Sequence, residues 1–392
     1  MTRIKTSLKA INFFHFAYMG VFFKFFAMYL LAKGFDNQEI AMIHMTVSLT
    51  HIAGTFTVGY IANKFRLEER FLKIFTLLSF ISFSLFILLD IYLADVFMAY
   101  VLLMALFAFF RNPILPLVDS ATLDFVTKTG EDYGRIKLWG SLGFIFGTVI
   151  IGFMLNKKEL FPISIILYGM CFFLFLSYLW STRIPVKVTE KRAISLSLLA
   201  KSMKNRGIIL IFLTSFLHIV GMAAYHVFFG VFITDRGYAP GYVGIFTVAS
   251  VFSEVILFHF SAGILRKFSP YILLSVTFLF TALRWFVLSE YSEFWPVILS
   301  QTIHSLSWGL FFIVSINYIN HHFKELLRTS GVTLFSTLVF GVGNLLGFFL
   351  AGTVSKYYGY SVLFFYCGIL SLLTFSISLY LVSKEDSGFR LK

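Results

Sequence analysis

Hydrophobic positions in this chain fall into long blocks, and polar residues are confined to the short links between them. About 20 consecutive apolar residues form a helix long enough to cross the hydrocarbon core of a bilayer. In lipid the backbone must satisfy its own hydrogen bonds, so runs of this length are helical. The pattern predicts twelve spans, at residues 8–32, 39–63, 71–91, 96–126, 134–155, 161–183, 207–233, 241–266, 270–289, 294–321, 330–354 and 361–383. The expected fold class is an all-α membrane protein with two pseudo-symmetric six-helix halves, 1–183 and 207–392, joined by a link at 184–206. Gly143, Gly147 and Gly152 recur with the same spacing as Gly343, Gly347 and Gly352, which relates the halves. Small residues so spaced let helix backbones approach closely.

Charge refines the topology. Basic residues gather in alternate links: Lys64, Arg66 and Arg70; Arg266 and Lys267; Lys324 and Arg328; and Lys187, Lys191, Arg192, Lys201, Lys204 and Arg206 in the central link. The intervening links carry Asp90, Asp95, Glu290 and Glu293. By the positive-inside rule the basic links, and with them both termini, are expected in the cytoplasm. Ser195 to Lys204 suits either a short surface helix or a flexible linker. The net charge of +13 is therefore assigned to membrane orientation, and no nucleic-acid partner is expected. The composition agrees: 58% hydrophobic, 13% charged and 52 Phe, against about 25% charged in a soluble domain. The first run is too long for a signal-peptide core and is expected to stay as a span. Cys171 and Cys367 lie in apolar runs, where buried free thiols are expected rather than a disulfide or metal site.

The candidate chemistry lies where ionisable groups interrupt apolar blocks. A charged side chain at the centre of a span costs about 2.5–3.5 kcal/mol, so such groups face a watery cavity or each other. In the first half these are Lys24, Arg111, Asp119 and Lys137, with Asp124 toward the end of its run. Asp119 and Lys137 lie on neighbouring spans joined by a short link and are placed to meet. Lys24 is read either as a cavity cation or as the partner of a buried acid. In the second half they are Glu254, Arg284, Gln301 and His304. His15, His44, His51, His218, His226 and His259 are expected to be hydrogen-bonded packing groups. No phosphate-binding glycine loop, nucleophile elbow or zinc motif occurs, so no enzyme, cofactor or metal is expected.

The stretch Pro116-Leu117-Val118-Asp119-Ser120-Ala121-Thr122-Leu123-Asp124, followed by Tyr133-Gly134-Arg135-Ile136-Lys137-Leu138-Trp139-Gly140-Ser141, resembles the helix 4 to helix 5 hairpin of bacterial major facilitator proteins. It is most similar to the phenylpropionate permease-like and lactose permease-like symporters, with Lys137 in place of the usual second arginine. The strings around Glu254, Arg284-Trp285 and Gln301 to His304 resemble the same groups. The resemblance implies twelve helices, alternating access and proton symport at the inner membrane, by a monomer whose partners are a small solute and membrane lipid. It implies substrate contacts at Asp119, Lys137 and Phe144, with Lys24 in the cavity wall, and proton coupling at Glu254, Arg284 and His304. The second carboxylate those relatives carry one turn after the histidine is Ser307 here, which makes Glu254 the expected carrier. Gly59…Asn63-Lys64 resembles the superfamily's loop motif, with Asn63 where an aspartate usually stands. That loop, together with Gly143, Gly147, Gly343 and Gly347, is expected to serve gating and helix packing. An aromatic carboxylate is the expected substrate, with a sugar or nucleoside symporter, an efflux antiporter and a non-transporting sensor as the alternatives.

Overall fold

The computed structural model describes residues 2–65, 68–92, 96–184, 205–323 and 328–383, with only the backbone course at 55–65, 68–69 and 328–330. Every regular element among the described residues is a helix: α1 Thr2–Ala32, α2 Asn37–Phe65, α3 Glu68–Tyr92, α4 Phe97–Arg111, α5 Ile114–Thr129, α6 Tyr133–Asn156, α7 Ile165–Ser181, α8 Arg206–Asp235, α9 Gly241–Lys267, α10 Pro270–Glu290, α11 Phe294–Thr302, α12 Leu310–His322, α13 Arg328–Phe335 and α14 Gly343–Ser383. Nine stretches among the described residues are long and apolar enough to cross a membrane. The chain is thus a multi-pass membrane protein.

Local chemistry sets the helix ends. Asp36 and Glu39 form a reciprocal capping box at the start of α2: the Gln38 and Glu39 N–H groups donate to Asp36 Oδ1 at 2.8 and 3.0 Å, and the Asp36 N–H donates to Glu39 Oε2 at 2.9 Å. Ser269 caps α10 by accepting from the Ile272 N–H, with Pro270 just inside the helix. Gly130, at φ 70°, ends α5 in the left-handed conformation that glycine adopts freely.

Three expected spans are less regular than the hydrophobic pattern suggests. The span over 96–126 divides between α4 and α5 at Asn112-Pro113, because proline lacks the N–H that would continue the helix. The span over 294–321 carries a π-helical turn at Ser305–Gly309, and a second π segment, Ser336–Val342, precedes α14. The runs 330–354 and 361–383 are divided at Gly359, whose φ of 82° interrupts α14.

By internal packing the chain divides into two compact units, Met1–Lys191 with His226–Ile245, and Arg192–Tyr225 with Phe246–Lys392. The end of α8 and the start of α9 thus belong with the first unit. The core of the first unit includes Leu8, Ile11, Leu72, Phe75, Val118 and Ile136. That of the second includes Ile211, Phe278, Phe311, Val314, Tyr318 and Val339.

In the first unit Gly143 and Gly147 seat α6 directly on α1, where an added Cβ would overlap the carbonyl oxygens of Phe13 and Ala17. In the second unit Gly347 lies against Val220 and Ala223 of α8, and Gly343 against the Ile219 side chain. These four glycines therefore pack helices within a unit. Gly59, Asn63 and Lys64, and the stretch Ser195 to Lys204, lie outside the residues whose side chains are described. Cys171 and Cys367 are both buried and free.

Candidate functional site

Two polar clusters interrupt the apolar interior, one in each unit. In the first unit Asp119 on α5 and Lys137 on α6 form an ion pair at 2.7 Å, as their spacing predicts. Both remain partly open, with side-chain exposures of 34% and 23% respectively. The ring over the Lys137 ammonium is Phe16 of α1, at 5.2 Å. Phe144, expected from the resemblance to stack on substrate, turns its backbone carbonyl toward Gly20, where a Cβ would meet it. Phe16 is one aromatic among several in its run, and only its placement over Lys137 distinguishes it.

Lys24 is only 4% exposed at the middle of α1. Its ammonium lies 4.9 Å from the centre of the Phe229 ring. Gly230 permits this approach, since a Cβ there would overlap the Lys24 carbonyl oxygen. Asp119 is thus bonded to Lys137, and Lys24 sits against an aromatic face instead.

Arg111 ends α4, with its guanidinium carbon 5.7 Å from the centre of the Tyr18 ring. Its Nη1 donates to Asn112 Oδ1 at 3.2 Å. The Asn112 amide in turn donates to the Val47 carbonyl and to Thr50 Oγ1, both at 3.2 Å. His15 is 2% exposed, and neither ring nitrogen has a hydrogen-bond partner. His44 conforms to the expected packing role through its Nδ1 and the Ile40 carbonyl at 2.9 Å; His15, and His218 in the second unit, do not. Charged pairs elsewhere in the unit bind its ends: Lys33 to Asp90, Lys5 to Glu131 and Lys128 to Asp124.

In the second unit His304 Nε2 and Glu254 Oε1 are 3.1 Å apart. The histidine immediately precedes the π turn, whose closing Leu310 N–H reaches the Ser305 carbonyl five residues back. Gly309 in that turn faces α9, where a Cβ would touch Leu257, Phe258 and the Glu254 side chain. The extra residue of a π turn changes which side chains face a neighbouring helix, and such turns concentrate at functional sites. Arg284, fully buried on α10, donates from Nε to the Ser300 carbonyl at 3.0 Å and from Nη2 to Gln301 Oε1 at 3.5 Å. Its carbon lies 4.1 Å from the Tyr225 ring centre and 4.6 Å from that of Trp285. The Tyr225 hydroxyl donates to the same Gln301 oxygen at 2.7 Å, and the Tyr225 ring is 5.3 Å from that of His304. The structure therefore brings Glu254, His304, Arg284 and Gln301 into one network. Tyr225, its bridging member, carries no charge and was not legible as a candidate.

The pattern of the MFS_1 like family matches residues 5–367. The maltose permease of Geobacillus stearothermophilus is 23% identical over 297 residues, covering 76% of this chain and 75% of that protein. A protein of Escherichia coli (strain K12) named as a probable 3-phenylpropionic acid transporter is 23% identical over 359 residues, covering 89% and 91%. Among solved structures, that of the nucleoside transporter NupG aligns with a TM-score of 0.83 at 17% identity, over 97% of this chain and 100% of the other. At that identity the likeness speaks for the fold alone.

Proposed function

We propose, from the premise that this chain belongs to the MFS_1 like family and is a membrane transporter of the major facilitator kind, that it moves a small aromatic carboxylate by alternating access in symport with protons. The proposal takes the twelve apolar runs as twelve spans in two six-helix halves, 1–183 and 207–392. It sets the 184–206 link and both termini on the cytoplasmic side of a bacterial inner membrane. The protein acts as a monomer with no cofactor beyond the coupling proton.

The observation that carries the proposal is the Glu254–His304 pair at 3.1 Å inside apolar helices. A carboxylate and an imidazole this close titrate as a unit, and imidazole is the side chain whose ordinary range spans physiological pH. Adding or removing one proton changes the net charge of the pair, and with it the cost of enclosing the pair. Arg284 cannot exchange its proton at physiological pH. Its role is to hold Ser300 and Gln301, on the turn before His304, in a fixed place. Glu254→Gln, reconstituted in proteoliposomes with 3-phenylpropionate on both sides, should keep counterflow exchange and lose accumulation driven by a proton gradient. A variant that still concentrates the acid overturns the assignment of Glu254 as carrier.

The anionic substrate is supported by charge: the interior of the first unit holds Lys24, Arg111 and Lys137 with Asp119. A neutral nucleoside or sugar is the second reading. It is favoured by the Lys137–Asp119 pair, whose members offset each other and offer a solute donors and acceptors without net charge.

A further inference from the structure

We propose that Arg111, with Tyr18 and His15 as its walls and Asn112 as its support, is the subsite that takes the substrate carboxylate. The inference rests on the anionic reading of the substrate and gives it a location.

The first observation is the backbone. Within the span Phe97–Thr129, Asn112 and Pro113 keep helical φ and ψ angles, and Pro113 lacks the N–H that would bond back to the preceding turn. Arg111 lies two residues before that proline, near mid-span, where a charged side chain faces a polar cavity or a partner.

The second is the guanidinium. Arginine keeps its charge in proteins and offers five N–H donors in a planar fork. Here one nitrogen donates to Asn112, while Nε is buried with no hydrogen-bond partner. Among the described residues no carboxylate lies within ion-pairing distance of Arg111; Asp119, the acid of this cluster, is bonded to Lys137. Asn112 is itself anchored to Val47 and Thr50, which fixes the direction of the fork. It is a positioning residue.

The third is His15. This imidazole is 98% buried with both nitrogens unpartnered, and its ring centre lies 5.8 Å from that of Tyr18, the ring beside the Arg111 guanidinium. A neutral imidazole has one donor and one acceptor. A ligand oxygen held by the guanidinium would accept from that donor and satisfy both groups.

The surroundings define the rest of the ligand. Tyr18 has Phe107 at 5.7 Å and Phe22 at 6.0 Å between ring centres. One guanidinium and one neutral donor match a single negative charge, and the neighbourhood, closed by rings only 1–2% exposed, is aromatic. The fitting class is an aromatic monocarboxylate, whose two oxygens suit bidentate binding by arginine.

The test is calorimetric binding of 3-phenylpropionate and 3-phenylpropionamide to the purified full-length protein, with unfolding midpoints recorded for each variant. The unmodified protein should prefer the acid. Arg111→Gln should weaken acid binding about ten- to a hundredfold, the loss expected for a hydrogen bond to a charged group, and should leave amide binding within about twofold. Arg111→Lys keeps the charge without the fork and should retain part of the preference; His15→Phe should cost less than Arg111→Gln. A purely structural role would weaken both probes together and lower the unfolding midpoint. If Arg111→Gln keeps the acid preference while Lys24→Met loses it, the Arg111 subsite is overturned and the anionic reading stands. If the unmodified protein handles acid and amide alike, the anionic reading falls and the subsite with it.

Discussion

Arg284 in the second unit and Arg111 in the first are both guanidiniums set in apolar spans, and their surroundings are opposite. Arg284 is fully buried, donates to Ser300 and Gln301, and lies between the rings of Tyr225 and Trp285; only its Nη1 is without a partner. Arg111 has Asn112, one tyrosine ring and a buried Nε with nothing to bond. The backbones differ in the same sense. The second unit departs from the α-helix by π turns, whereas the α4–α5 span keeps helical angles through Asn112 and Pro113 and lacks one backbone hydrogen bond at the proline. A charge enclosed by protein groups on several sides fixes the register of the helices that enclose it. A guanidinium with an unbonded nitrogen keeps hydrogen-bonding capacity for a solute. Arg284 is thus held by residues of α8 and α11, whereas Arg111 keeps a buried Nε without a bond.

The largest expected effect tests how far the two units are equivalent. Gly143 and Gly343 hold the same place in the repeat, yet a Cβ at Gly143 would lie 2.7 and 2.8 Å from the backbone carbon atoms of Phe13, while one at Gly343 would meet the Ile219 side chain at 3.2 Å. A side chain can turn aside and a helix backbone cannot. Gly143→Ala should therefore cost about 3 kcal/mol, the upper range for overpacking, and Gly343→Ala less than about 1 kcal/mol. The unfolding midpoints of the two purified variants check this, and equal losses would remove the asymmetry.

An intermediate effect is expected at the arginines. Arg284→Gln leaves the Ser300 carbonyl short of a donor and the Tyr225 and Trp285 faces without their cation, and should cost about 1–3 kcal/mol of stability. Arg111→Gln should cost less than about 1 kcal/mol, because fewer protein groups lose a partner. Thermal unfolding of both in one detergent gives the ranking; the reverse order would make Arg111 the structural member.

The smallest effect is expected at Asp119 and Lys137. Their pair is partly exposed, and such pairs contribute about 0.2–1 kcal/mol. A double-mutant cycle with Asp119→Asn and Lys137→Gln should return a coupling in that range. A coupling of several kcal/mol would mean that the pair is enclosed like the Arg284 network and serves to join α5 and α6.

Much of the candidate site could be read along the chain. The Asp119–Lys137 pair follows from an acid late in one apolar run and a base early in the next. Glu254, Arg284 and His304 stand out because each interrupts lipid-soluble sequence. What could not be read were uncharged or ordinary residues whose importance comes from position. Phe16 and Tyr225 are two aromatics among many, and only their placement over Lys137 and Arg284 distinguishes them. His15 and His218 resemble the other intramembrane histidines until their ring nitrogens are seen to have no partner, and of the two it is His15 that lies beside the Tyr18 ring under Arg111.

The sequence by itself determined that this chain lives in a bilayer, where its helices run and which charges are anomalous. The reason is that lipid acts on every residue separately: it demands apolar side chains over a set length and makes each exception costly. The tertiary structure alone decided that Lys24 lies against the Phe229 ring, that Gly143 meets backbone while Gly343 meets a side chain, and that a neutral tyrosine joins Arg284 to Gln301. Those outcomes depend on the rotation and depth of one helix against another. They are fixed by close packing between segments distant in sequence, a property that no single stretch of sequence contains.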